Sequence, residues 1–270
     1  AMTTRKTKIV CTLGPTASTV PVLGALVRAG MNVARFNMAH GTEAEHEAIA
    51  GRLREASRAA GIPVALLVDI KGPEIRTGTV AGGRPVVLEA GRTVIVTGEP
   101  VPCTAEVISV SYPQLAGLLR PGRRLLIADG IIDLEVVSVD DGRARCVVRS
   151  GGELGSHKNV NVPGVPTKLP AVTERDAGHL AFAARIGMDF VAASFVRRPE
   201  DVIEVRTRLF DLGSRMHVIA KIEDEEGLAN APLIARVADG IMVARGDLGV
   251  RLSVEDIPLA QKRIIAACQG

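Results

Sequence analysis

Short, continuously apolar runs alternate with longer amphipathic segments along this chain, and the alternation is interrupted once. The runs lie at Lys8–Leu13, Asn32–Met38, Val64–Ile70, Phe190–Phe195, His217–Ile222 and Gly240–Ala244. Between and after them, Thr19–Ala29, Thr42–Ala60, Thr173–Ile186, Pro199–Leu212, Asp224–Val237 and Ile257–Ala267 carry helical periodicity. Thr42 with Glu45, and Thr173 with Asp176, have the spacing of capping boxes. Apolar strands separated by helices predict a parallel sheet covered on both faces. Six such units fit either a doubly wound sheet or part of a (β/α)8 barrel.

The interruption, 73–168, is rich in Val, Gly and Pro, with turn signals at Gly82-Gly83, Asp141-Gly142 and Gly151-Gly152. Val86–Leu88, Thr93–Thr97, Leu125–Ala128, Ile132–Val139 and Ala144–Arg149 read as short strands. The reading is a discontinuous α/β domain, 1–72 and 169–270, with an all-β module inserted at 73–168 and placed to act as a lid.

Composition excludes several classes of function. The balance of 33 basic against 30 acidic residues leaves a net charge of +3, and five Phe, one Tyr and no Trp offer no stacking platform. Nucleic acid is therefore not an expected partner. No run of eighteen apolar residues exists to cross a membrane, and the polar Ala1–Lys8 segment does not read as a signal peptide. Cys11, Cys103, Cys146 and Cys268 form no CxxC pair, so they read as reduced, mostly buried thiols of a cytoplasmic protein.

Charged and polar residues sit at the ends of the apolar runs: Arg35 and Asn37, Asp69 and Lys71, Lys221 and Glu223, Arg245 and Asp247. In a barrel such ends converge on one face. Glu223 and Asp247 suit Mg²⁺, which takes few protein oxygens. Lys221 and Arg35 suit a phosphoryl group, and phosphoryl transfer needs positive charge around the transferring group. The Gly246 and Asp247 amides could cradle a carboxylate or phosphate. The competing reading is an ion-pair network that merely closes the mouth.

The segments KIVCTLGP (Lys8–Pro15), MNVARFNMAHG (Met31–Gly41), DIKGPEIRTG (Asp69–Gly78), FVAASFVRR (Phe190–Arg198), AKIEDEEG (Ala220–Gly227) and GIMVARGDLG (Gly240–Gly249) resemble the pyruvate kinase family, in order and across essentially the whole chain. The resemblance implies a partial (β/α)8 barrel of about six units with a β-barrel-like lid. It also implies phosphoryl transfer from phosphoenolpyruvate to ADP, giving pyruvate and ATP. Arg35 and Lys221 would contact the transferring group, Glu223 and Asp247 would bind Mg²⁺ or Mn²⁺, and the Gly246 and Asp247 amides would hold the substrate carboxylate. Asn37, Asp69 and the Ile70 carbonyl would form a monovalent-cation (K⁺) site. Arg76, His40 and Lys158 would face the nucleotide.

Two positions depart from the family at the cation site: Ala39 stands where it has Ser, which deletes a hydroxyl ligand and weakens the site, and Ile70 stands where it has Thr, which spares the site because a backbone carbonyl serves there. Glu74 is retained, although relatives that dispense with potassium tend to carry Lys there. Against the family pattern the sequence stops at Cys268-Gln269-Gly270, before the segments expected to form strands seven and eight and the C-terminal domain, so bare sheet edges and a homo-oligomer are expected. Two alternatives stay open: a Mg²⁺-dependent aldolase or decarboxylase of a 2-oxo acid, and a non-catalytic binding relative.

Overall fold

The structure, a computed structural model, describes residues 6–165, 167 and 169–269. Ala1–Arg5 of the polar leader, the expected module boundary at Lys168, and Gly270 lie outside the described residues. In chain order, the first part contains β1 (Val10–Thr12), α1 (Val20–Ala29), β2 (Val33–Asn37), α2 (Glu43–Ala60) and β3 (Ala65–Ile70). The inserted segment forms β4 (Ile75–Arg76), β5 (Val86–Leu88), β6 (Thr93–Thr97), β7 (Val107–Ser109), α3 (Leu115–Leu118), β8 (Arg124–Ile127), β9 (Ile132–Asp140), β10 (Arg143–Ser150), β11 (Gly152–Leu154) and β12 (Asn159–Asn161). The α/β rhythm then resumes with α4 (Glu174–Arg185), β13 (Phe190–Ala193), α5 (Pro199–Asp211), β14 (His217–Ile222), α6 (Glu225–Ala235), β15 (Gly240–Val243), α7 (Arg245–Arg251) and α8 (Ile257–Gln269).

Six parallel strands pair in the order β1-β2-β3-β13-β14-β15. Sequential strands lie side by side, as in a barrel wall, and the order never doubles back as a doubly wound sheet would. Both capping boxes are present, at Thr42/Glu45 and Thr173/Asp176. Period-two alternation then sorts the strand residues. Ala34, Phe36, Leu66, Val68, Val191, Ala193, Val218, Ala220 and Ile222 enter one apolar core. Their alternate neighbours face the other way, toward the inside of the curve. β1 is less buried than its apolar sequence suggests, with Val10 50% exposed, because among the described residues β1 pairs with β2 alone.

The inserted segment has a second core of its own, built on Leu125, Ile127, Ile132, Leu134 and their neighbours. Its larger sheet runs β4-β12-β8-β9-β10-β6-β7. The two end strands meet again: Thr77 bridges Val110, and the Gly78 N–H donates to the Ser109 carbonyl at 2.9 Å. The sheet therefore curls into a barrel, which removes its edges. Asp141 and Gly142, both at positive φ, make the tight turn of the β9–β10 hairpin. β4, β7, β11 and β12 are additions to the strands read from sequence. Each is two or three residues long, too short to show a period. The cysteines are all free; Cys103 and Cys146 are buried, whereas Cys268 is exposed.

Candidate active site

The parallel register brings the strand ends to one rim. Thr12 pairs with Arg35, Asn37 with Asp69, Asp69 with Ala192, Ala193 with Ala220, and Lys221 with Met242. Arg35, Asn37, Asp69, Ser194, Lys221 and Glu223 fall at the positions that alternate with the core residues, so they share the inner face. Arg35 Nε donates to Asp69 Oδ2 at 2.6 Å, and its Nη1 donates to Thr12 Oγ1 at 2.8 Å. Lys221 Nζ donates to Ser194 Oγ at 2.7 Å and lies 2.9 Å from Glu223 Oε1 and 3.3 Å from Asp69 Oδ1. Two cations and two anions thus form one connected network.

Burial makes this network electrostatically tense. Asp69, Lys221 and Glu223 are 2%, 8% and 1% exposed. Burial is the largest influence on Lys221 and pulls its pKa down, but Glu223 and Asp69 together outweigh it and hold the ammonium above its ordinary value. Burial is also the largest influence on Glu223. With Asp247 repelling and Lys221 opposing, the carboxyl is pushed up to about 7. Glu223 Oε2 accepts the Phe195 N–H at 2.6 Å. Phe195 sits at φ +55°, a left-handed conformation uncommon for a bulky residue. That geometry turns its amide toward the carboxylate.

Gly246 and Asp247, both exposed residues, lie in the first turn of α7, where backbone N–H groups have no intrahelical acceptor. Asp247 lines a cavity of about 380 Å³ between the rim and the inserted module, with Phe195, Arg197, Arg251, Glu74 and Asn161 among its walls. Asn37 Oδ1 accepts the Ala39 N–H at 3.1 Å, closing a local turn. The Ile70 side chain is a hydrocarbon fully buried in the core, so the backbone carbonyl oxygen is the one group this residue could offer a cation. His40 and Lys158 are exposed. Arg76 donates from Nε and Nη2 to Glu74 Oε2 at 3.0 and 2.7 Å, and from Nη1 to the His157 carbonyl at 2.6 Å. Glu74 also pairs with Lys71 at 2.9 Å.

Sequence reading missed Ser194 and Phe195. The signal available was a hydroxyl interrupting the apolar run FVAASF, in phase with Asp69 and Lys221 across the sheet. Arg251 and Asn161 carry no sequence signal, because they meet only through the tertiary fold.

A sequence model described as the pyruvate kinase barrel domain matches residues 4–270. The chain belongs to the pyruvate kinase family. It is 47% identical to the pyruvate kinase of Geobacillus stearothermophilus over 98% of this chain and 45% of that protein. The Staphylococcus saprophyticus pyruvate kinase is 45% identical, again over 98% of this chain and 45% of the relative. A crystal structure of a pyruvate kinase from Cryptosporidium parvum superposes with a TM-score of 0.94 at 38% identity, covering 98% of this chain and 55% of that one. The chain thus spans about half the length of these pyruvate kinases. The match runs through the inserted segment as well as the barrel strands. Among the described residues, no helix is long and apolar enough to cross a membrane.

Proposed function

We propose that this chain carries out pyruvate kinase-type phosphotransfer, moving the phosphoryl group of phosphoenolpyruvate to ADP. The observation that carries the proposal is the Lys221 ammonium, held by Ser194, Glu223 and Asp69 at the rim beside Arg35. A lysine held above its ordinary pKa keeps its proton, so it serves as a fixed positive charge and not as a base. Arg35 spends Nε and Nη1 on Asp69 and Thr12, while its Nη2 has no partner among the described residues and remains for phosphoryl oxygens. In the reaction the bond from phosphorus to the enol oxygen breaks and one to the ADP β-phosphate forms. The enolate then takes up a proton to give pyruvate.

A divalent cation, Mg²⁺ or Mn²⁺, suits the carboxylates. Glu223 is a nearly fully buried acid whose pKa is raised by burial and by the nearby Asp247, a repulsion that a cation between them relieves. No cluster of three or more His, Cys, Asp or Glu is present among the described residues, so water and substrate oxygens would complete the shell. Bound there, the cation would neutralise charge on the transferring group. Asn37, Asp69 and the Ile70 carbonyl are proposed for K⁺, weakened by Ala39. Arg76, His40 and Lys158 are proposed for the nucleotide, with Arg76 released from Glu74 when nucleotide binds. β1 and β15 each pair on one side only among the described residues, which supports self-association of this chain. A solution mass equal to the 28.4 kDa monomer would overturn that part.

The test is pyruvate formation from phosphoenolpyruvate and ADP with Mg²⁺, with and without K⁺. Turnover is expected, and Lys221→Met should lower it at least about a hundredfold. Silence from folded protein, or full activity in the variant, defeats the reading.

A further inference from the structure

The two segments that connect the inserted module to the barrel are each gripped by a buried side chain. Asp176, fully buried at the start of α4, accepts the Lys71 and Gly72 N–H groups on Oδ1 at 3.1 and 3.4 Å. Arg197, 5% exposed, donates to the Thr167 carbonyl and hydroxyl at 2.9 and 2.8 Å and to the Leu169 carbonyl at 2.7 Å. These grips fix both connections to the barrel. Any rotation of the module relative to the barrel would pivot about them.

A different contact crosses the cavity itself. Arg251, at the end of α7, donates from Nη2 to Asn161 Oδ1 on β12 at 2.7 Å. Its guanidinium also lies over the Phe195 ring, 5.6 Å from the centroid. One side chain therefore ties the module's last strand, the strained residue that holds Glu223, and the helix whose first turn bears Asp247. Arg251 and Asp247 are four residues apart on α7, hence on one helix face.

We propose that Arg251 is a latch: it holds the inserted module closed over the cavity and, in the closed state, positions Phe195 and α7. Asn161 lies on β12 of the module and Phe195 follows β13 of the barrel, both lining the cavity, so rotation of the module away from the barrel breaks the hydrogen bond to Asn161. The stacking on Phe195 keeps the arginine in place to re-form that bond. A charged donor on a neutral acceptor beside an aromatic face should bias closure by on the order of tenfold or more. The latch stands independently of the phosphotransfer reading; only its catalytic consequence rests on that reading.

The test places one dye on the module and one on the barrel, using Val137→Cys and Phe210→Cys, with Cys11 and Cys268 replaced by Ser. Both labelled positions are exposed, at 52% and 82%. Single-molecule energy transfer then reads the closed and open populations. Arg251→Ala and Asn161→Ala should each raise the open-to-closed ratio about tenfold, and the double variant should add little more. Asn161→Asp, which turns the contact into an ion pair, should lower the ratio, and Arg251→Ala in that background should abolish the gain. Unchanged distance distributions in folded Arg251→Ala and Asn161→Ala proteins would overturn the latch. If the chain turns over, Arg251→Ala should raise KM for the nucleotide more than it lowers kcat. A chain that opens on Arg251→Ala yet makes no pyruvate keeps the latch and loses the phosphotransfer reading.

Discussion

At the scale of single residues, the site depends on a few positions whose backbone or charge has no easy substitute. Gly72 has φ +71°, and a Cβ there would sit 2.7 Å from the Ser194 carbonyl oxygen. Backbone cannot yield as a side chain can, so Gly72→Ala should lower stability by about 1–3 kcal/mol, read from urea unfolding. It should also disturb Ser194, and with it the Lys221 hydrogen bond. His179 supplies a pH prediction. Burial above all, helped by Arg175 and His46 and opposed by Asp176 and Glu43, holds its imidazole below the ordinary 6.5. The unfolded chain therefore takes up the proton first as pH falls. The stability tied to neutral His179 is fully present above the ordinary histidine range and is lost on acidification toward the depressed folded value. The fall in urea midpoint between about pH 7.5 and about pH 5.5 should be smaller in His179→Gln than in the parent. An equal fall in both would show that His179 carries none of it.

At the scale of elements, two helix starts look alike in sequence and differ in consequence. The Thr42/Glu45 box caps α2 at an exposed site, so Thr42→Ala should cost about 1 kcal/mol by thermal or urea unfolding. The Thr173/Asp176 box caps α4, but Asp176 is fully buried and also holds the Lys71 and Gly72 amides. Removing it leaves buried donors unpaired, so Asp176→Ala should cost about 2–4 kcal/mol. It should also speed hydrogen exchange at the Lys71 and Gly72 amides. The two boxes were legible from spacing alone. The second task of Asp176 was not, because its partners lie 105 and 104 residues away along the chain. α7 was missed for a related reason: seven residues with two glycines give too few positions to display a helical period.

At the scale of the whole molecule, two cores carry the stability, one in the barrel wall and one in the inserted module. Leu125→Ala should cost about 2–5 kcal/mol and raise hydrogen exchange within the module, leaving β2, β3 and β14 protected. Phe36→Ala should do the reverse. Uniform loss of protection across both units would mean that they unfold as one.

Legible in the sequence were the strand–helix rhythm, the capping boxes and the line of charged strand ends. Those are local properties: apolar period, turn chemistry and side-chain oxygens three residues from an amide. Phase alone even predicts that Arg35, Asp69, Ser194 and Lys221 face the same way once the strands are in register. The tertiary structure decided what the charges do. It set the register, excluded water from Glu223 and turned Phe195 into a left-handed conformation to hold it. It closed the module's sheet between strands too short to show a pattern, and it brought Arg251 across the cavity to Asn161. Burial and pairing depend on neighbours distant along the chain, and no local pattern records them.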